Sequence, residues 1–405
     1  MSGFSFYVGI DLGNTQQAIC VLDCKKKEPV VRRVVETHDV LEVLSKAIGA
    51  TAPAAVAVAV EDRNNVIVDA LLELGFSVFS INPKQADRFR ERETASGAKD
   101  DKRDARTLAR ALITDELSFR SLTPLSEQEG RMRAVSQIVA ALDDEHRQLS
   151  NKLRAVLLRY FPALLSICEG ADQPWFWALV LLLGDVDHAR KVPAAAVTKL
   201  LKATRKRSVS ANDVKDLLAR PLIQPPAWLS AEKLKEATGL IERLRLIDSQ
   251  RELTTARRKN LLDELAEPNH DGSASDVAIL LSMPGIGEKT AATLFAEVGP
   301  LLRGGNLGLL RAVAGVAPVT MRSGKMVRVS MRHACNPRLR EALHHAAFAA
   351  AVQDEGFKKY RAKLNAANHE SARALRSIAD KMLHILVAMF ATRTLYSRRP
   401  KPVAS

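Results

Sequence analysis

SFYVGIDLGNTQQAICVL, residues 5–22, decides the fold. Its two β-rich runs, 5–10 (SFYVGI) and 17–22 (QAICVL), flank DLGNT, a turn built on Gly and Asn. A third β-branched run follows at Val30–Val35, and helical spacing of Val40, Leu41, Leu44 and Ile48 marks a helix over 38–48. AAVAVAV at 54–60 is an unbroken run of small apolar residues, the signature of a strand buried on both faces. A helix over 65–74, a strand over 76–81 and a helix from Asn82 complete an alternating α/β order with a mixed sheet.

Beyond residue 114 the pattern turns helical. Apolar residues recur every three or four positions from Ser126 to Tyr160 and again from Ser230 to Leu265, predicting two long amphipathic helices. Two arrangements satisfy them: an antiparallel coiled-coil arm or dimerisation element, or packing within one chain. Shorter helices are predicted at 174–183, 193–201 and 214–218. The turn-rich PNHDGSAS at 268–275 opens a last helical segment, with a hairpin over 316–331 and basic helices over 337–353 and 367–392. The expected domains are 1–115 (α/β), 116–270 (helical, coiled-coil), 271–395 (mainly α) and a basic tail, 396–405.

Charge narrows the partners. The chain of 405 residues carries 60 Lys and Arg against 46 Asp and Glu, net +14. Residues 1–110 balance at 16 basic and 16 acidic side chains, whereas residues 320–405 hold 17 basic and 5 acidic. A compact segment with that excess attracts polyanions, nucleic acid above all. Aromatic residues are only 5% of the chain, which favours backbone recognition over base stacking. No apolar run approaches the roughly 18 residues of a membrane helix. The N-terminus lacks the basic-then-apolar order of a signal peptide, and four irregularly spaced cysteines fit a reducing, cytoplasmic setting without a zinc framework.

Carboxylates supply the candidate chemistry. Asp11 ends the first strand and Glu61 follows the buried fourth one, where an α/β sheet delivers side chains into a crevice. Asp101 and Asp104 stand three apart at the start of a helix in KDDKRDARTLARAL (99–112), on one face of it. Asp100 is a spare acid. Singly, each residue also suits a turn, a loop or a helix N-terminus. Together they would repel one another without a cation, and oxygen-only donors select Mg²⁺ or Mn²⁺. In the last segment, MPGIG (283–287) reads as a helix–hairpin–helix turn, with Gly285, Gly287 and Lys289 placed to meet a phosphate backbone. Arg322, Lys325, Arg328, Arg332 and Arg338 add positive charge downstream.

GIDLGN, the strand ending at Glu61, and DDKRDARTLA resemble the RuvC-like, RNase H-fold DEDD domain of insertion-sequence-110 transposases, including their 1111 branch. LLSMPGIGEKTAATLFAEVG (280–299) and GVAPVTMRSGKMVRVSMRHACNPRLREALHHAAF (315–348) are similar to that family's second domain. The resemblance implies a metal-dependent DNA transposase–recombinase. In it, Asp11, Glu61, Asp101 and Asp104 hold the metal, and Ser323 attacks DNA to form a transient protein–DNA phosphodiester. Ser330 and Ser282 are the fallback nucleophiles. It further implies donor and target DNA, a bridge RNA pairing with both, and a homodimer assembling to a tetramer, in a bacterial, nucleoid-associated setting.

Other readings remain on the sequence alone. A Holliday-junction-type endonuclease needs the same acids and uses water. DLGNT also resembles the phosphate loop of sugar kinases and actin-like ATPases, but their second Asp-Gly-Gly loop is missing from the chain. A non-catalytic nucleic-acid scaffold needs only the basic segment. His333, His344 and His345 suit either phosphate contact or packing. Cys20 and Cys24 read as core and edge residues, and Trp175, Phe176 and Trp177 as core or interface.

Overall fold

The computed structural model describes residues 3–26, 29–62, 65–93, 100–323 and 326–397. The chain folds into two units, Met1–Ser126 and Glu127–Ser405.

The first unit is a mixed sheet covered on both faces. Its strands are β1 (Phe6–Leu12), β2 (Gln16–Asp23), β3 (Pro29–Glu36), β4 (Val56–Val60), β5 (Ser77–Ser80) and β6 (Arg120–Ser121), in the spatial order β3-β2-β1-β4-β5-β6. β1, β2 and β3 run antiparallel in succession, β1, β4 and β5 are parallel, and β6 closes the far edge antiparallel to β5. The helices are α1 (Val40–Ile48), α2 (Val66–Glu73), α3 (Pro83–Glu93) and α4 (Asp101–Asp115).

Strand alternation sorts the side chains to two cores. Val8, Ile10, Val56, Val58 and Val60 meet Val40, Leu44, Val68 and Leu71 of α1 and α2. On the opposite face Tyr7, Ala57 and Ala59 meet Ala105, Leu108, Ala109 and Leu112 of α4. The small residues of AAVAVAV therefore have a purpose: Ala57 and Ala59 leave room for a helix close to the sheet. Gly9 allows the closest approach of all, since a Cβ there would stand 1.9 Å from the Ala105 carbonyl oxygen. At α2, Asn65 caps the helix by accepting from the Ile67 N–H at 2.9 Å.

Among the described residues the second unit is helical apart from one hairpin. It contains α5 (Glu127–Tyr160), α6 (Pro174–Leu183), α7 (Val186–Lys191), α8 (Ala194–Ala203), α9 (Ala211–Ala219) and α10 (Ala227–Leu265). α11 (Asp276–Ser282), α12 (Glu288–Arg303) and α13 (Leu307–Val313) follow. The hairpin β7 (Val319–Ser323)–β8 (Met326–Ser330) then precedes α14 (Pro337–Gln353), α15 (Glu355–Ala366) and α16 (Ser371–Thr392). α5 and α10 pack against each other within the chain. Met132 near the start of α5 shares a core with Leu261 and Leu262 at the end of α10. Leu149–Tyr160 share another with Ala237–Ile247 and with Trp175, Phe176 and Trp177 of α6. The two long helices are thus antiparallel, and they tie the helical middle and the last helices into one unit. Trp177 donates from Nε1 to the Ala171 carbonyl at 2.9 Å, which satisfies its one polar atom in the core. No helix among the described residues is long and apolar enough to cross a membrane.

Candidate active site

β1 sends Tyr7 and Gly9 toward α4, so Asp11, two residues on, leaves the strand on the same face. The parallel register pairs Ile10 with Val60, which sets Asp11 beside Glu61. Asp104 adjoins Ala105, the residue packed on Gly9, and is only 4% exposed. Two strand ends and one helix turn therefore put Asp11, Glu61 and Asp104 on one side of the sheet, near enough for the charges of Asp11 and Asp104 to act on Glu61.

The electrostatics record that convergence. The Glu61 carboxyl is held above its ordinary range, first by burial and then by the negative charge of Asp11, with Asp104 and Asp87 adding to it. Arg90 of α3 works against the shift. Its Nε donates to Asp104 Oδ1 at 2.7 Å, its Nη1 to Asp87 Oδ1 at 2.5 Å, and its Nη2 stands 4.0 Å from Glu61 Oε1. One guanidinium thus serves three carboxylates, its planar fork reaching each from a different nitrogen.

Asp101 lies one turn earlier on α4 and is exposed, and it is absent from the groups acting on Glu61. Asp100 is the N-cap residue of α4, also exposed, and its side chain makes no capping bond. Among the described residues no three His, Cys, Asp or Glu side chains are gathered closely enough to hold a metal ion. The donor chemistry nevertheless suits a hard divalent cation, because the donors are all carboxylate oxygens, and burial and the neighbouring acids still raise Glu61 despite Arg90.

The sequence-predicted residues of the second unit have mixed surroundings. Gly285 has φ +82°, and a Cβ there would stand 2.3 Å from the Ala346 carbonyl oxygen and 2.5 Å from the Ala350 nitrogen of α14. Close packing between the MPGIG turn and α14 requires this glycine. Gly287 is the N-cap of α12 with open space around it. Lys289 Nζ pairs with Asp143 of α5 at 3.2 Å, and Glu288 with Lys259 of α10 at 3.2 Å, so the start of α12 is stitched to both long helices. Arg338 pairs with the buried Glu297 at 3.3 Å. Arg322 is exposed, and Arg332 is half-buried with its Nε lacking a hydrogen-bond partner among the described residues.

Ser323 ends β7 and pairs with Met326 across the hairpin. Its side chain and that of Arg328 lie outside the described residues, as does Lys325 altogether. Both fallback serines have structural partners. Ser282 donates to the Ile279 carbonyl at 2.7 Å and accepts from the Tyr396 N–H at 2.9 Å, while Ser330 reaches the Val319 carbonyl at 3.5 Å. His333, His344 and His345 are exposed rather than packed. Cys20 is buried and Cys24 exposed, as core and edge residues should be.

Arg90 and Asp87 were not singled out in the sequence. The trace they leave is an i,i+3 acid–base pair in PKQADRFRERE (83–93), which is indistinguishable from a surface pair until the helix is placed.

Comparison with known proteins finds matches at both ends of the chain. The DEDD transposase model of IS110, described as a transposase, matches residues 8–162. The model described as "Transposase IS116/IS110/IS902 family" matches residues 277–362. A Sinorhizobium fredii protein named as transposase y4uE is 42% identical over 154 residues, 38% of this chain and 43% of its own length, so that match spans less than half of the relative. A Streptomyces coelicolor protein named as the mini-circle transposase for IS117 is 26% identical over 403 residues, covering 96% of this chain and 94% of the relative. The uncharacterized 43.6 kDa protein of insertion element IS110, also from Streptomyces coelicolor, is 27% identical over 308 residues, 75% of this chain and 73% of the relative. Two domain matches in this order along one chain make it similar to the IS110 family of transposases at both ends.

Proposed function

We propose that the protein is a DNA transposase–recombinase of an insertion sequence, cutting and exchanging strands of donor and target DNA through a serine–DNA intermediate. The observation that carries the reading is the meeting of Asp11, Glu61 and Asp104 on the α4 face, with Glu61 pushed up by burial and by its acidic neighbours. The sheet, three successive antiparallel strands followed by two parallel ones, supports an RNase H-like (RuvC-like) assignment.

In this reading Asp11, Glu61 and Asp104 hold Mg²⁺ or Mn²⁺, with Asp101 completing the set from the solvent side. The ion supplies charge neutralisation at the scissile phosphate. Ser323 is the nucleophile. Its Oγ bonds to phosphorus, its proton leaves to a base, and the displaced deoxyribose oxygen takes up a proton. The phosphodiester is conserved in the Ser–O–P link, so a second DNA hydroxyl can reverse the step without nucleotide hydrolysis. Arg322, Lys325 and Arg328 flank that serine with positive charge suited to phosphate. A bridge RNA that pairs with both DNAs would supply the sequence specificity, leaving the protein to bind shape and backbone. A homodimer assembling to a tetramer would handle the two DNA partners.

The test uses full-length protein with its element-end DNA and flanking RNA. Asp11→Asn should abolish strand cleavage while largely sparing binding. Ser323→Ala should eliminate denaturation-resistant protein–DNA adducts. Cleavage that continues without adducts would instead make water the nucleophile and the protein a junction-type endonuclease.

A further inference from the structure

The helical middle holds a concentration of positive charge that neither the carboxylate cluster nor the basic C-terminal segment explains. Residues 188–212 contain seven Lys and Arg side chains and no Asp or Glu. Five of the seven, Lys199, Lys202, Arg205, Lys206 and Arg207, fall at the end of α8 and in the turn toward α9.

The turn is anchored, not loose. Lys206 lays its ammonium 4.6 Å from the centre of the Trp175 ring, and Trp175 belongs to the core of the helical middle. Arg205 takes a left-handed backbone with φ +54°, an uncommon conformation for a residue with a side chain. The remaining four, Lys199, Lys202, Arg205 and Arg207, are exposed, and none has an ion pair among the described residues. The acid that follows in sequence is already committed: Asp213 accepts from the Ser210 N–H at 2.7 Å in the α9 capping box. The core contributions of this corner come from Val197, Leu201 and Val214, and the four exposed cations lie outside that core. Gathering them costs self-repulsion that an approaching polyanion relieves.

Geometry favours a backbone over bases. Lys199 and Lys202 stand one helical turn apart, about 4.5 Å along α8. No aromatic side chain of Phe, Tyr or Trp lies in 188–212 to stack on an unpaired base. We infer that the α8–α9 corner is a second, sequence-independent binding surface for the phosphate backbone of duplex DNA. The inference does not depend on the carboxylate site or on Ser323.

The test compares full-length wild type with Lys199→Gln/Lys202→Gln/Arg205→Gln/Arg207→Gln, following anisotropy of a labelled duplex of unrelated sequence across a salt series. Each lost phosphate contact removes about 0.9 from the slope of log affinity against log salt, so the slope should flatten by about 2 to 4. A Lys199→Gln/Lys202→Gln protein, altered only on an exposed helix face, should flatten it by about 1 to 2. Slopes equal to wild type in both variants would overturn the inference. So would a structured RNA hairpin of matched length that loses its slope while the duplex DNA does not.

Discussion

Arg90 Nε donates to Asp104 Oδ1 at 2.7 Å, joining α3 to the one buried acid in the first turn of α4. The pair gives the carboxylate cluster a cation of its own. Asp104 is nearly excluded from water, and Asp87 and Glu61 lie within reach of the same guanidinium. A buried carboxylate is tolerated when its partner is well placed, and losing that partner leaves a charge with neither solvent nor salt bridge.

Arg90→Ala should therefore destabilise the first unit by about 2 kcal/mol in chelator, the scale of a charge-assisted hydrogen bond lost from a buried group. Added Mn²⁺ should recover much of that loss, because the divalent ion replaces the missing positive charge. Thermal melts with chelator and with Mn²⁺ check this. Equal melting of wild type and variant in chelator would show that Arg90 does not stabilise the cluster.

Gly9 and Gly285, each packed against the backbone of a helix, differ from the glycines with room around them. Gly9→Ala and Gly285→Ala each drive a Cβ into helix backbone and should cost about 1–3 kcal/mol or more. Gly130, inside α5 with nothing within 4 Å of a Cβ, should behave oppositely, and Gly130→Ala should stabilise by about 0.5–1 kcal/mol. Chemical denaturation of the three variants measures the contrast.

Acid should loosen the stitch between α5, α10 and α12. Burial disfavours the Asp143 charge, but hydrogen bonds and attraction from Arg251 and Lys289 outweigh it and hold the carboxyl below its ordinary range. A carboxylate lowered on folding stabilises above its unfolded pKa of about 3.9, and the contribution disappears as pH falls through the folded value. Wild type should exceed Asp143→Asn in stability by about 1 kcal/mol near neutral pH, allowing for partial exposure. The gap should close as pH falls below the ordinary carboxylate range. A gap independent of pH would show that the ion pairs are not its source.

The sheet was legible in the sequence because alternation and small-residue runs report burial directly. FYVGIDL and VAVAV became β1 and β4, and Asp11 and Glu61 stand at their ends. Asp104 was legible from its helix start. Its difference from Asp101 was not, since both occupy the first turn and only the docking of α4 turns one inward. Arg90 was hidden for the same reason. β6, two residues long, exists only through its pairing with β5. Gly285 carried a phosphate-loop signal but meets a neighbouring helix, because spacing cannot distinguish close approach to a ligand from close approach to α14. The basic α8–α9 corner was masked because segment-wide charge sums dilute a short local run.

Saturable Mn²⁺ binding to full-length protein, followed by the loss of free-ion electron paramagnetic resonance signal, tests the carboxylate site most directly. Wild type should bind, with Glu61→Gln and Asp104→Asn each weakened at least about tenfold, or about 1.4 kcal/mol. Binding that is absent in wild type, or equal in all three proteins, would contradict a divalent-ion site on the α4 face.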